Sequence, residues 1–233
     1  MSTPNETSTP SPKHQVAIKA AEIVDNGMIV GLGTGSTANL FIEELARRQR
    51  EQQLDIQVVA SSVISRVKAQ QAGLNVLSIE QLSHLDMYVD GADEVTTSMQ
   101  LLKGRGQDLV YEKLLASHAK AFYVLVDDSK IVNRIGEKHP IPIEVMPVAA
   151  QLVLNRLNNL QARGSLRLNA AGDNVAYSAA GNLILDMQFE QFDTAQINAL
   201  LTVMPGVVEH GIFADVVKAV FVGTAEGVKL LNA

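Results

Sequence analysis

Apolar and polar positions along this chain follow two rhythms that take turns. Val16, Ala20, Ile23 and Val24 recur at helical spacing over 13–25, and Asn26-Gly27 stops that helix. Residues 28–32 are a short apolar run that ends in a glycine loop. A helix follows from Ser36 with Leu40, Phe41, Ile42 and Leu45 on its apolar face, and the polar stretch 47–53 reads as its solvated end. The alternation continues with a strand at 56–60, a helix at 63–72 ended by Gly73, and strands at 74–77 and 86–89. A helix at 109–118 and a strand at 122–126 follow. Strands alternating with helices of this length predict an α/β fold, a doubly wound, mostly parallel Rossmann-like sheet. Ligands collect at the carboxyl ends of such strands, where Asp90 falls.

The rhythm changes after Ile135. A strand is expected at 141–145, a helix opened by Pro147 through Leu160, and antiparallel strands at 165–169 and 182–189. A helix capped by Asp193 should run to Leu201. Apolar runs at 218–222 and 228–231 then return to the first sheet. The organisation predicted is a tail over 1–12, a Rossmann-like catalytic domain over 13–135 plus 210–233, and a smaller inserted α+β domain over 136–209.

Composition narrows the classes. Hydrophobic residues make up 47% of the 233 positions and charged ones 19%, which argues for a packed globule rather than a disordered chain. A net charge of −6 with no basic run disfavours nucleic acid and anionic membranes as partners, so an anionic substrate needs a local positive site. The absence of cysteine excludes disulfides and thiolate metal sites. The first twelve residues, rich in proline, serine and threonine, have neither a signal-peptide nor a membrane pattern, and their Asn5-Glu6-Thr7 sequon reads as incidental. A cytoplasmic location is expected.

Two segments carry candidate chemistry. In Asp90-Gly91-Ala92-Asp93-Glu94, two carboxylates flank small residues, so a turn can present both to a small ligand. Taken alone, that turn fits oxygen ligation of a divalent cation, contact with sugar hydroxyls, or a plain polar turn. Lys103-Gly104-Arg105-Gly106 follows, where backbone N–H groups can approach anionic oxygen, and Glu112 stands near a helix start. By default such a glutamate is an acid favoured by the helix dipole. Carboxylates, a cation and oriented amides are also the parts needed to move a proton beside a carbonyl. The second segment, Gly31-Leu32-Gly33-Thr34-Gly35-Ser36-Thr37, lacks the third glycine of a dinucleotide fingerprint, and no acid ends the next strand. It also lacks the Gly-Lys-Ser/Thr ending of a triphosphate loop. A monophosphate at a helix N-terminus fits it, as does a tight turn with an ordinary serine cap. The five histidines show no metal-ligand spacing and read as structural or surface residues.

In order and spacing these motifs resemble ribose-5-phosphate isomerase, type A. The resemblance extends through Asp128-Ser129-Lys130, Pro142-x-Glu144-Val145, Gly181-Asn182-x-Ile184-Leu185-Asp186, Pro205-Gly206-Val207-Val208 and Gly211-x-Phe213, to the closing Gly223-x-x-x-Gly227-Val228-Lys229. It covers the chain from Lys13 onward. It implies an aldose–ketose isomerase of ribose 5-phosphate and ribulose 5-phosphate in the pentose phosphate pathway, working without cofactor or metal. Homo-oligomers are expected, a dimer first. By that resemblance Glu112 shuttles the proton between C1 and C2, and Asp90 and Lys103 complete the catalytic set. Asp90 relays a hydroxyl proton in ring opening, and Lys103 stabilises the enediolate oxygen. Substrate contacts fall to Lys13, Thr34, Gly35, Ser36, Thr37, Asp90, Gly91, Ala92, Asp93, Lys103, Gly104, Arg105, Gly106 and Lys130. A buried Glu112 among carboxylates should have a raised pKa.

Arg105, Gln107-Asp108 and Tyr111 depart from the family pattern in ways that bear on rate and affinity; Asp108 would weaken anion binding or simply cap the helix. Two alternatives remain, a non-catalytic sugar-phosphate sensor and an amino-sugar phosphate isomerase or deaminase. A sensor would not need Glu112, Asp90 and Lys103 together.

Overall fold

The computed structural model describes residues 10–232. The sequon and most of the expected tail lie outside them. The tail also ends earlier than expected: the Ser11 side chain accepts from the His14 N–H, and Pro12, at the first helical position, opens α1 (Pro12–Glu22). Proline suits that position because its missing N–H would have no partner there.

The chain continues through β1 (Ile29–Leu32), α2 (Ser36–Gln52), β2 (Gln57–Ala60), α3 (Val63–Gln71), β3 (Asn75–Leu77) and β4 (Met87–Asp90). Next come two very short strands, β5 (Glu94–Thr96) and β6 (Leu101–Leu102), then α4 (Leu109–His118), β7 (Phe122–Asp127) and β8 (Ile131–Val132). The remaining elements are β9 (Ile141–Val145), α5 (Ala150–Asn159), β10 (Arg163–Leu166), β11 (Leu183–Gln188), α6 (Thr194–Thr202), β12 (Val207–His210), β13 (Ile212–Phe213), β14 (Val217–Thr224) and β15 (Gly227–Asn232).

The main sheet has the order β15-β14-β7-β4-β1-β2-β3 and is parallel apart from the β14–β15 hairpin. Its fold class is the doubly wound α/β class that the alternating rhythm predicts. From β1 the chain winds outward to β3, then crosses back to β4 and winds the other way. The β1–β4 junction is therefore a topological switch point, where loops part and leave a crevice. One side of the sheet is closed by α1 and α2, whose Val16, Ala20, Phe41 and Leu45 are fully buried against Val30, Leu32 and Val89. The other carries α4, with Leu109 and Leu115 packed on Tyr88, Phe122 and Val124.

A second, antiparallel sheet, β10-β11-β9-β12, covers its own core with α5 and α6: Ile143, Leu157, Leu185 and Leu201 are all fully buried there. Two local boundaries and one sheet differ from the sequence reading. The strand expected at 165–169 begins at Arg163 and ends at Leu166, and within it Gly164 lies so close to β11 that any side chain there would strike the Asp186 carbonyl. The helix opened by Pro147 starts as a 3₁₀ turn and becomes α-helical at Ala150. A third sheet, β13-β6-β5-β8, was not expected at all. Its strands, two or three residues long, are too short for alternation to show. This small sheet delivers Lys103 to the site, through the Lys103 N–H bond to the Gly211 carbonyl at 2.9 Å.

Candidate active site

The crevice at the switch point is organised around Asp90, the last residue of β4. Its carboxylate is fully buried and fully used: Oδ1 accepts the N–H groups of Thr34 (3.0 Å) and Gly91 (2.7 Å), and Oδ2 accepts the Tyr88 hydroxyl and the Lys103 ammonium, both at 2.7 Å. A Cβ on Gly33 would lie 2.0 Å from the Asp90 carboxyl, so only glycine lets the phosphate-type loop close over this acid. Burial, with Asp90 and Glu112 nearby, raises the Tyr88 hydroxyl well above its ordinary range, so it remains a donor.

Lys103 is 4% exposed. Besides Asp90 it donates to the Gly91 carbonyl at 2.9 Å, and it lies over the Phe213 ring, 5.7 Å from its centroid. Burial alone would depress its pKa; the Asp90 and Glu112 carboxylates more than reverse this and hold it above the usual lysine range. Glu112, one turn into α4, places Oε2 3.3 Å from the same ammonium, in charge contact without a hydrogen bond. Burial raises the Glu112 carboxyl, Lys103 pulls it down and Asp90 and Asp108 add to the rise, and together they bring it up to about 7. The site therefore holds a permanent cation beside a carboxyl that titrates near neutrality.

Glu112 and Lys103 open into a cavity of about 310 Å³, the size of a small phosphorylated metabolite. The β1–α2 loop lines it with Thr34, Gly35, Ser36 and Thr37, the turn after β4 with Gly91, Ala92 and Asp93, and the next loop with Gly104, Arg105 and Gly106. Lys13 and Lys130 complete the wall. The fold thus brings together every candidate substrate residue except Asp90, which stands behind the wall and meets the cavity only through what it holds. Helix α2 begins without a side-chain cap, its N-cap being Gly35, so the ordinary-serine-cap alternative does not hold. Ser36 and Thr37 sit in its first turn, where N–H groups lack intrahelical partners and attract anions. Lys13 reaches the same end, 3.4 Å from Ser36 Oγ and 3.7 Å from Asp127. The Thr34 hydroxyl, by contrast, donates to Ser62 at 2.6 Å, which leaves mainly its backbone for a ligand.

Three further acids have distinct placements. Glu94, a candidate cation ligand by sequence, is fully buried and spent on the N–H groups of Gly136, Lys138 and His139, each at 2.7 Å, and does not line the cavity. No group of three or more metal-ligating side chains occurs among the described residues. Asp108 occupies the N-cap position of α4 but makes no capping bond; it lines the cavity, and its carboxyl is raised by burial and then by Asp90 and Glu144. Simple helix capping is therefore not its role. Asp127, at the carboxyl end of β7, also lines the cavity and was missed as a site residue, although its strand-end position marked it. None of the five histidines lines the cavity.

Residues 57–227 match the family described as ribose 5-phosphate isomerase A (phosphoriboisomerase A). A ribose-5-phosphate isomerase A of Thermococcus kodakarensis is 42% identical over 222 residues, which covers 94% of this chain and 97% of that protein. The solved structure of ribose 5-phosphate isomerase A from Methanocaldococcus jannaschii superposes with a TM-score of 0.90 at 38% identity, covering 95% of this chain and 98% of the other. A D-ribose-5-phosphate isomerase in complex with phospho-erythronic acid gives 0.91 at 37% identity, with the same coverage.

Proposed function

The chain belongs to the ribose 5-phosphate isomerase A family, and from that premise we propose that it interconverts D-ribose 5-phosphate and D-ribulose 5-phosphate through an enediolate. In the forward direction the Glu112 carboxylate takes the proton from C2 of the open-chain aldose. The C2–H electron pair becomes the C1–C2 double bond, and the carbonyl electrons move onto O1. Lys103, always charged, stabilises that oxygen; the O2–H proton then passes to O1, its electron pair closes the C2 carbonyl, and the C1–C2 pair takes the proton back from protonated Glu112 at C1. Ser36, Thr37, Lys13 and Lys130 hold the phosphate; Asp93 and the Gly91–Ala92 turn contact the sugar. Asp90 is given a different part from the relay expected of it. Its two oxygens already have four donors, so it acts by fixing Lys103 and the two loop amides.

The observation that carries this reading is the Lys103–Glu112 pair, a fixed cation 3.3 Å from a carboxyl poised near 7. We place the reaction in the non-oxidative pentose phosphate pathway and in the cytoplasm, in a homo-oligomer, with a dimer favoured. Exposed Val148, Leu152 and Val203, on and beside α5 and α6, support self-association. The purified protein should convert ribose 5-phosphate to the ketose and exchange the C2 hydrogen with solvent. Absence of both overturns the reading.

A further inference from the structure

The backbone carbonyls of the loop between Lys103 and α4 are gripped from one side. Arg167, just past β10, points its Nη1 at three successive carbonyls, those of Gly104 (3.1 Å), Arg105 (3.1 Å) and Gly106 (2.5 Å). The Ala179 N–H donates to the fourth, Gln107, at 2.7 Å. Both donors, Arg167 and Ala179, come from the second sheet and its loops, not from the helix that carries Glu112. Gly104 has φ +90°, a turn that favours glycine and lets its carbonyl swing toward the arginine.

Trans peptide planarity supplies the consequence. In each peptide unit the N–H points opposite to the C=O. Drawing the carbonyls of 104–107 toward the second sheet therefore turns the N–H groups of Arg105, Gly106, Gln107 and Asp108 the other way. That side borders the cavity, which Gly104, Arg105, Gly106 and Asp108 line and Arg167 does not. None of those four N–H groups has an acceptor among the described residues. Consecutive free amides make a concave anion site.

Arg167 is itself held rigidly. Its Nε and Nη2 fork onto the Asp186 carboxylate of β11 at 2.8 and 2.5 Å, and its side chain is only 14% exposed. A planar guanidinium can satisfy a carboxylate and a row of carbonyls at once; a lysine cannot.

We propose that Arg167, locked by Asp186, is a positioning residue for the isomerisation: it sets the amides of 105–108 to receive the oxygen charge that develops beside Lys103. This inference rests on the isomerase reading above. The second sheet thereby acts on the chemistry without touching the substrate.

The test compares the wild type with Arg167→Met, Arg167→Lys and Asp186→Asn. Misplacing the amides by about 1 Å should lower kcat of Arg167→Met about 10- to 100-fold and leave KM for ribose 5-phosphate within about threefold. Affinity for phospho-erythronic acid, whose carboxylate imitates the enediolate oxygens, should fall in step with kcat. Affinity for inorganic phosphate, which needs only the α2 end, should hold. Arg167→Lys should resemble the Met variant more than the wild type, because charge without the fork does not restore the grip. If Arg167→Met does not fold, Asp186→Asn, which loosens the fork but keeps the arginine, should still lose kcat. Unchanged kcat in the folded variants, or equal loss of phosphate and phospho-erythronic acid binding, overturns the inference and leaves the isomerase assignment standing. Inactivity of the wild type overturns the assignment instead.

Discussion

The ammonium of Lys103 lies 3.3 Å from Oε2 of Glu112 in an interior where neither side chain is more than 7% exposed, yet the carboxyl still titrates near 7. A cation that close would ordinarily hold a carboxylate ionised far into acid. It does not here because burial raises the carboxyl first, and Asp90, which takes the same ammonium at 2.7 Å, adds its own repulsion. The arrangement separates two roles: a charge that never leaves and a proton that comes and goes near neutrality.

The pH profile follows from that separation. Proton abstraction needs ionised Glu112, so kcat/KM for ribose 5-phosphate should rise with unit slope up to about 7 and level off above it. Lys103 contributes no alkaline limb in the working range, being held above its usual pKa. An acid limb centred at the ordinary glutamate value of 4.5 would show that the buried environment does not set the base.

Glu112→Gln should uncouple stability from activity. Turnover should fall about two to four orders of magnitude, the contribution of a general base. Stability should move the other way, and only above a certain pH. Folded Glu112 binds its proton more tightly than the unfolded chain does, so the native state loses stability as pH rises from 4.5 to about 7. The neutral amide escapes that loss. Melting temperatures of mutant and wild type should coincide near pH 4 and diverge in the mutant's favour at pH 8. A lower melting temperature for the mutant at pH 8 would contradict the assigned strain.

Asp90→Asn should do the opposite. One amide oxygen cannot serve all four donors, and Lys103 would lose its nearest counter-charge. Removing one partner of a buried pair costs about 3–5 kcal/mol, and for a chain of this size each kcal/mol lowers Tm by roughly 2–4 °C. Melting temperature and turnover should therefore fall together. A fall in turnover alone, with Tm intact, would mean that Asp90 meets the substrate directly.

The contrast between Asp90 and Glu112 marks how far the sequence could be read. Alternating rhythms revealed the doubly wound sheet because each strand and helix is long enough to show its period, and motif spacing brought Glu112 and Lys103 forward. Nothing in Asp90-Gly91-Ala92-Asp93 tells which carboxylate faces a ligand. That depends on Gly33 packing against Asp90 and on Tyr88 reaching it from the same strand. The part of Glu94 was not legible for a similar reason: its partners lie some forty residues away, in the turn 136–139. The two-residue strand that positions Lys103 and the carbonyl grip of Arg167 are both long-range backbone relations, which side-chain periodicity does not record.

Lys130 offers the cleanest check on how the cavity holds its ligand. It lines the cavity and has no ion pair among the described residues, whereas Lys13 lies 3.7 Å from Asp127 and is partly spent. Lys130 shares the cavity wall with Ser36 and Thr37 of α2, so its ammonium is available for a phosphate dianion. Hydrogen bonds to charged groups contribute about 1.5–3 kcal/mol, so Lys130→Ala should raise KM for ribose 5-phosphate about ten- to a hundredfold. Its effect on kcat should be smaller, since Lys103 and Glu112 are untouched. Free ribose, lacking the phosphate, should be a very poor substrate for both proteins, because remote binding energy is what orients C1 and C2. The loss of Lys130 should then make no difference to it. A double comparison of two substrates on two proteins separates a phosphate contact from a general loss of the fold. Equal losses on ribose and ribose 5-phosphate would remove Lys130 from the phosphate site.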